Sequence, residues 1–242
     1  MDIRATHHYH SRRSSVLADN VVAASQPLAA QAGLAMLAIG GNAVDAAIAA
    51  AITLTLVEPT GNGVGSDAFA IVWDGTELHG LNASGKSPAA WTPDRFAAFD
   101  EMPFRGWESI TVPGAVSAWV ALSKRFGTLP FADLFAPAIG YAENGFIVSP
   151  KIAELWRRGA ESLSEYPGFA ESFLPDGTPP KAGEKFVNTP LAKTFRMIAE
   201  TEGKSFYEGE LAQTICAYAA AHGAALTVED MAAHAPDWCG TI

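Results

Sequence analysis

The feature that most constrains this chain is the segment Ala43–Val57, which is apolar on nearly every side of a helix. Asn42 stands directly before it as a candidate N-cap, and Asp45 follows three residues later, near the positive end of the helix dipole. A helix with so little polar surface belongs inside a domain. It is also shorter than the roughly 20 residues needed to cross a bilayer, so it predicts a buried core helix.

Composition supports a globular protein with a sizeable core. The chain has 242 residues, of which 49% are hydrophobic and 17% charged, enough for one large domain or two modest ones. The formal net charge is -10, and no local run of Lys or Arg offsets it. Because an acidic surface repels phosphate backbones and anionic lipid, we expect neither a nucleic-acid partner nor a membrane partner.

The two cysteines, Cys216 and Cys239, are far apart and lack the spacing of a zinc site or a disulfide framework. We therefore expect two reduced thiols, no metal and no cofactor. This favours a cytoplasmic location.

The periplasm is the alternative location, because Ser11-Arg12-Arg13-Ser14 faintly resembles a twin-arginine export signal. Asp19 and Asn20 interrupt the apolar stretch that such a signal requires.

Local patterns divide the chain into a flexible arm, residues 1–19, and a body, residues 20–242. Residues 21–24 are compatible with a strand, and Ser25 is expected to open a helix that runs to about Ile39. A hairpin follows, with strands at Ala68–Trp73 and 78–81 around Asp74-Gly75. Further helices are predicted at 114–126, 131–144, 150–159, 189–202, 208–222 and 228–234, with irregular chain at 83–110 and 162–188.

These elements predict an α+β fold that is predominantly helical with a small antiparallel sheet. A lone hairpin is not stable by itself, so its strands must join a larger sheet, or the chain is a fragment of something longer. The glycine loop at 61–65 lies between a helix and a strand, the wrong order for a dinucleotide site. It predicts a tight turn with close backbone approach, or alternatively a loop that lines a catalytic pocket. We find no self-sufficient catalytic constellation.

Four blocks, occurring in order over roughly residues 20–242, resemble the γ-glutamyltransferase family. The first runs from Val22-Ala23-Ala24-Ser25-Gln26-Pro27 to Gly40-Gly41-Asn42-Ala43-Val44-Asp45, and the second is Val57-Glu58-Pro59 with Gly63-Val64-Gly65. The third is Val112-Pro113-Gly114 with Gly127-Thr128-Leu129-Pro130 and Ala136-Pro137-Ala138. The fourth is Phe206-Tyr207-Glu208-Gly209 with Leu226-Thr227-Val228-Glu229-Asp230.

The resemblance implies the N-terminal part of an αββα N-terminal nucleophile hydrolase fold. Members of this family are made as an inactive precursor that cleaves itself before a Thr. The new N-terminal Thr then attacks a small-molecule amide substrate, with its own α-amine as the base. In the family that Thr lies beyond the Leu-Thr-x-Glu-Asp block, so we expect it downstream of Ile242. This chain would then be a partial large subunit, inactive alone, without catalytic residues and partnered by its small subunit.

One departure from the family bears on the substrate. The family carries Asp-x-Arg-Glu-x-Ala-Pro after the hairpin, where the Arg pairs with a γ-glutamyl carboxylate. Anchored on Pro88, this chain has Ser84 at the Arg position and Gly85 at the Glu position. Ser cannot supply a charged bidentate clamp, although Lys86 could contribute a point charge. Ser84 and Lys86 are therefore the candidate substrate-binding residues, unless the loop has drifted and touches no substrate.

The sequence around Ser84 resembles the branch that includes oxamate amidohydrolase-like proteins. The leading hypothesis is an amidohydrolase or acyltransferase that cleaves small acyl amides or, alternatively, γ-glutamyl amides such as glutathione. Two other interpretations stay open: a non-catalytic binding or scaffold module of the same fold, and a relative that has lost its downstream Thr.

Overall fold

The computed structural model describes residues 17–241, so the first 16 residues of the predicted flexible arm lie outside the described residues. The described chain divides into two compact units, each built from two stretches of sequence. The first unit comprises residues 17–63 and 134–195, and the second comprises residues 64–133 and 196–241.

The first unit is mainly helical and packs around α2, the helix that the sequence predicts to be buried. Its elements are α1 (Pro27–Ala38), α2 (Ala43–Val57), α5 (Ala136–Asn144), β3 (Phe146–Ile147), α6 (Pro150–Leu163), α7 (Phe169–Phe173), β4 (Lys185–Phe186) and the start of α8 (Thr189–Glu200). Ile48, Ile52 and Leu56 of α2 are buried, as are Phe135 and Phe195, whose ring centroids lie 6.2 Å apart. The predicted buried helix is confirmed.

A capping box fixes the start of α2. The side-chain oxygen of Asn42 accepts hydrogen bonds from the backbone N–H groups of Val44 and Asp45, at 2.9 and 3.1 Å. Oδ2 of Asp45 in turn accepts from the backbone N–H of Asn42 at 2.9 Å. These reciprocal bonds satisfy N–H groups that have no partner inside the helix, which matters because Asp45 is fully buried.

The second unit contains a three-stranded antiparallel sheet and the remaining helices. Its elements are β1 (Ala68–Trp73), β2 (Leu78–Ala83), α3 (Pro93–Phe96), α4 (Ala115–Phe126), the end of α8, α9 (Lys204–Tyr207), α10 (Glu210–Ala221), α11 (Val228–Ala232) and β5 (Asp237–Cys239). The strand order is β1-β2-β5, with Gly80 opposite both Ile71 and Cys239. Its core includes Val112, Val116, Trp119, Phe206 and Met231.

The two faces of this sheet have different surroundings. On one face His79, Leu81 and Ala83 are buried, and α4 packs against β1 and β2. Because side chains alternate along a strand, Phe69, Ile71 and Trp73 point to the other face, where they are 67%, 71% and 61% exposed. We call these three residues, with Leu78 opposite Trp73, the apolar sheet face.

The predicted start of the first helix is wrong by one residue. Gln26, not Ser25, is the N-cap of α1, and its side chain accepts from the backbone N–H of Leu28. The Ser25 hydroxyl instead donates to Oε2 of Glu58 at 2.6 Å, so a tertiary contact takes the group that would have capped the helix. Residues 21–24 form no strand in the described structure, because no described segment pairs with them.

Other differences concern short elements. β2 extends to Ala83, the predicted helix 131–144 is a 3₁₀ turn followed by α5, and the predicted irregular chain includes α3, α7 and β4. The predicted close backbone approach at the glycine loop is not found at Gly61 or Gly65, where a Cβ atom would meet nothing nearer than 3.9 Å. Within residues 17–241 no helix is long and apolar enough to cross a membrane.

We expect Asn42→Ala to lower the free energy of unfolding by about 1 kcal/mol, because the capping acceptor of a buried helix is lost. Urea denaturation followed by circular dichroism measures this change. Gln213→Ala, which removes an exposed amide from α10, is the matched control and should leave the midpoint within error. Equal midpoints for both variants would contradict the capping role.

Candidate functional site

Ser84 and Lys86 lie in the segment that leaves β2, within the second unit. The backbone carbonyl of Lys86 accepts a hydrogen bond from the N–H of Val112 at 2.9 Å, and the Thr111 hydroxyl donates to the Ser84 carbonyl at 3.4 Å. The Ser84 N–H donates to Oδ1 of Asn82 at 2.9 Å. Segment 84–86 is therefore held by its backbone, which leaves the side chains of Ser84 and Lys86 available.

Two glycines allow this segment to lie against segment 112–114. A Cβ atom on Gly85, whose φ is +78°, would stand 1.7 Å from the carbonyl oxygen of Val112. A Cβ atom on Gly114 would stand 1.8 Å from the carbonyl oxygen of Ala83. Both distances are far below any possible contact, so no other residue fits at either position without moving the backbone. The absence of Glu at position 85 is thus a packing requirement in this chain.

The side chains of the two candidate residues remain unpaired in the part of the chain that the structure describes. Among residues 17–241 neither the hydroxyl of Ser84 nor the ammonium of Lys86 has a hydrogen-bond or ion-pair partner. Ser84 is half-buried and Lys86 is exposed. A hydroxyl and a cation two residues apart on a fixed backbone can together bind a small anionic ligand.

A second contact holds the chain just beyond this segment. The backbone N–H of Ala89 donates to Oδ1 of Asp230 at 2.9 Å. The other carboxylate oxygen of Asp230 completes a capping box with Thr227 at the start of α11. One carboxylate oxygen of Asp230 therefore caps its own helix, and the other holds the backbone just beyond the candidate site. This gives the Asp of the Leu-Thr-x-Glu-Asp block a structural role.

Behind segment 112–114 lies a hydrogen-bonded cluster of Ser117, Tyr207 and His234. Oγ of Ser117 is 2.9 Å from Nε2 of His234 and donates to the carbonyl of Gly114 at 2.7 Å. The Tyr207 hydroxyl donates to the Pro113 carbonyl at 2.8 Å and accepts from the Ser117 N–H at 3.0 Å. Sequence reasoning placed Tyr207 in a family block without a role, and nothing in the sequence marks His234.

Burial sets the ionisation of this cluster. It raises the pKa of Tyr207 to about 12, although the hydrogen bonds with Ser117 oppose the shift. Burial also lowers the pKa of His234, with the positive charge of Lys86 contributing in the same direction and Asp237 opposing. Both rings are therefore neutral at physiological pH.

Asp74, Glu77 and His79 form the one group of candidate metal ligands among the described residues, with ligand atoms within 4.8 Å of one another. Nε2 of His79 lies 2.8 Å from Oδ2 of Asp74, and Arg125 is 2.9 Å from Nδ1. Because a guanidinium only donates, Nδ1 accepts and Nε2 carries the proton to Asp74. With Arg125 adjacent, this arrangement stabilises the hairpin and disfavours a bound cation.

Asp74 is a strong acceptor in this hairpin. Its Oδ1 accepts from the Thr76 hydroxyl and from the backbone N–H groups of Thr76 and Glu77, at 2.7 to 2.9 Å. The hydrogen bond from His79 is the largest of the causes that hold the pKa of the Asp74 carboxyl well below its usual range. The hairpin turn predicted at Asp74-Gly75 is confirmed, with its side chains engaged in the turn itself.

Comparison with known proteins shows where such a chain belongs. The family model described as gamma-glutamyltranspeptidase matches residues 29–242. The chain is 37% identical to the oxamate amidohydrolase proenzyme of Klebsiella pneumoniae over 91% of its length, and 36% identical to the glutathione hydrolase-like YwrD proenzyme of Bacillus subtilis over 95%. It spans 43% and 44% of those two proteins, respectively.

A solved structure agrees with this result. The cephalosporin acylase from Bacillus halodurans superposes on 98% of the chain with a TM-score of 0.94 and 46% identity, and the chain covers 46% of that protein. The predicted fold, the N-terminal part of an αββα N-terminal nucleophile hydrolase with a small antiparallel sheet, is confirmed. The chain belongs to the gamma-glutamyltranspeptidase family.

Proposed function

We propose that this chain is the N-terminal part of the large subunit of a self-cleaving amide hydrolase whose nucleophilic Thr lies downstream of Ile242. The relatives it matches are named proenzymes, and it spans less than half of each. In the proposed reaction the Thr hydroxyl attacks the amide carbon, and its α-amine takes the proton. The amine product leaves, and water or a second amine resolves the acyl-enzyme. Hydrolysis and acyl transfer thus share the same intermediate.

The proposed substrate is a small amide that carries a carboxylate close to the scissile bond, such as oxamate. The observation that carries this proposal is the pair Ser84 and Lys86, unpaired within residues 17–241 on a clamped backbone. Lys is a point charge and Ser a neutral donor, so they suit a compact anion better than the extended α-amino acid end of a γ-glutamyl group. The similarity to an oxamate amidohydrolase supports the same class.

The proposed partner is the small subunit of the same precursor, which would cover the apolar sheet face. Three adjacent large side chains, Phe69, Ile71 and Trp73, are each more than half exposed. Contiguous apolar surface of this kind marks an interaction site. Because the opposite face of the sheet is already buried, a second sheet layer on this face would give the αββα arrangement.

We also infer a cytoplasmic location. Cys216 and Cys239 are both free, and free thiols persist in a reducing compartment. The periplasm is the alternative that the arginine pair near the N-terminus keeps open.

Expression of the uninterrupted reading frame tests self-cleavage. We expect two bands on a denaturing gel, the smaller beginning with Thr, because the nucleophile must have a free α-amine. N-terminal sequencing of that band identifies the residue. Replacement of that Thr by Ala should leave a single band. An uncut wild-type protein would favour a binding or scaffold module of the same fold.

Substrate competition tests the role of Lys86. In the processed enzyme, Lys86→Met should raise the KM for oxamate about tenfold or more, because a charge-assisted hydrogen bond to the carboxylate is lost. Lys193→Met, which removes an exposed lysine of α8, is the matched control and should leave the KM unchanged. Rapid turnover of a γ-glutamyl anilide without turnover of oxamate would contradict the proposed specificity.

The double variant Phe69→Thr with Ile71→Thr tests the apolar sheet face. The isolated 242-residue chain should self-associate and bind an apolar dye, and the variant should reduce both, because each buried side chain of this size contributes about 1.5–3 kcal/mol. Sedimentation velocity and dye fluorescence measure the change. Adding separately produced small subunit should suppress dye binding by the wild-type chain.

Val187→Thr is the control for this experiment. Val187 is 46% exposed and belongs to the first unit, whereas the sheet belongs to the second, and its replacement should change neither property. A wild-type chain that is monomeric and binds no dye would contradict an uncovered interface.

A further inference from the structure

His234 follows α11 and contacts two other elements of the second unit. Its Nε2 lies 2.9 Å from Oγ of Ser117, in α4. Its ring lies against the ring of Tyr207, in α9, with centroids 5.3 Å apart. A single side chain thus joins the chain beyond α11 to α4 and α9.

The hydrogen bonds of Ser117 determine which nitrogen of His234 carries the proton. The Ser117 hydroxyl has one proton and donates it to the Gly114 carbonyl at 2.7 Å. Oγ must then accept from Nε2–H of His234, which leaves Nδ1 without a proton in the neutral ring. Nδ1 is buried and has no hydrogen-bond partner in the described chain. Protonation would therefore bury both an unpaired N–H and a charge.

Tyr207 continues this network to the candidate site. It donates to the carbonyl of Pro113 and accepts from the N–H of Ser117, at 2.8 and 3.0 Å. Pro113 is the neighbour of Val112, whose N–H donates to the carbonyl of Lys86. A continuous path of short contacts therefore leads from the His234 ring to the backbone of Lys86.

The groups around His234 together favour the neutral form of its ring over the protonated form. Lys86, beyond β2, disfavours a second positive charge, and Asp237 of β5 favours it. The Tyr207 phenol from α9 is neutral, because burial raises its pKa to about 12. Burial of the ring itself is the largest of the effects on the pKa of His234, and it also lowers that pKa.

We propose that His234 is a positioning residue: in its neutral form it anchors Ser117 and Tyr207 behind segment 112–114 and so keeps the backbone of Lys86 in place for the substrate. Protonation at Nδ1 would keep the Nε2–H bond to Ser117, but it would bury an N–H without a partner and place a second cation near Lys86, which disfavours the packed position of the ring. The structural part of the proposal concerns the second unit alone, whereas its effect on catalysis rests on the proposed function.

Hydrogen exchange of the peptide that contains Val112 tests the structural part in the protein as expressed. His234→Phe keeps a ring against Tyr207 but loses Nε2–H, and should speed exchange of this peptide about tenfold. His234→Gln retains an N–H that can reach Ser117 and should restore slow exchange. His222→Phe, which alters an exposed histidine directly after α10, is the control and should have no effect. Unchanged exchange in His234→Phe would overturn the proposal.

A ring titration tests the charge relation, with ¹³C-labelled histidine followed by NMR. His234 should be mostly neutral at pH 6.5, where an ordinary histidine is half protonated, and Lys86→Met should raise its pKa. Lys193→Met should not. Because the folded-state pKa is depressed, the stabilisation from neutral His234 is complete above pH 6.5 and is lost as the pH falls towards the folded-state pKa. If the pKa of His234 is the same in Lys86→Met as in the wild type, the proposed effect of the Lys86 charge on His234 is contradicted.

Kinetics on the processed enzyme complete the test. His234→Phe should raise the KM for oxamate severalfold at neutral pH with a smaller change in kcat, and should remove the acid limb of the kcat/KM profile that His234 causes. His234→Gln should keep the neutral KM and also lose that limb. If wild-type enzyme fails to turn over oxamate, the proposed function is wrong, whereas exchange at Val112 still decides the positioning role. An acid limb of the kcat/KM profile that is unchanged in both His234→Phe and His234→Gln would overturn the proposed positioning role.

Discussion

The close contact between two backbone segments, 83–85 and 112–114, is the constraint on which the candidate site depends. It exists because Gly85 and Gly114 lack side chains, and a Cβ atom at either position would overlap a carbonyl oxygen. Hydrogen bonds from Thr111 and Val112 then fix the carbonyls of Ser84 and Lys86. The side chains of those two residues project from a backbone that has little freedom to adjust, which is a condition for selective binding of a small ligand.

This constraint gives the departure from the family motif a physical meaning. A Glu at position 85 would require a different path for segment 112–114, so Gly85 and the neighbouring Val112-Pro113-Gly114 block must be considered together. With Ser at position 84 the proposed site lacks the guanidinium that the family motif has there, and Lys86 is the cation that segment 84–86 supplies. A site of this composition selects by charge and size, whereas a bidentate arginine selects by geometry.

The cluster behind the contact supports segment 112–114 from residues that lie outside the candidate site. Ser117 bonds to both Tyr207 and His234, and Ser117 and Tyr207 donate to the carbonyls of Gly114 and Pro113, whereas Nδ1 of His234 has no partner in the described chain. In a buried network each member limits the positions of the others. Asp230 adds a second attachment just beyond the candidate site, through the backbone N–H of Ala89.

Much of the local structure could be predicted because it depends on neighbouring residues. Asn42 and Asp45 determine the start of α2, the apolar composition of Ala43–Val57 determines its burial, and Asp74-Gly75 determines the hairpin. These three features depend on contacts within a few residues or on composition, which a single sequence contains. The residues of the four blocks and their order indicated the family by resemblance, and the family model confirms it.

Only the tertiary structure could decide the rest, because the partners are distant in sequence. Ser25 donates a hydrogen bond to Glu58 and so does not cap α1. Strand β5 pairs with β2 across more than 150 residues, and His234 contacts Ser117 across 117 positions. Ser84 and Lys86 could be named as candidates from the sequence. The backbone contacts with segment 111–114 that hold them could not be predicted. The sequence by itself determined the buried helix and the hairpin, since these follow from local chemistry, and its resemblance to known motifs indicated the family. The folded chain decided which side chains are held and which are free, since that depends on which distant groups pack together.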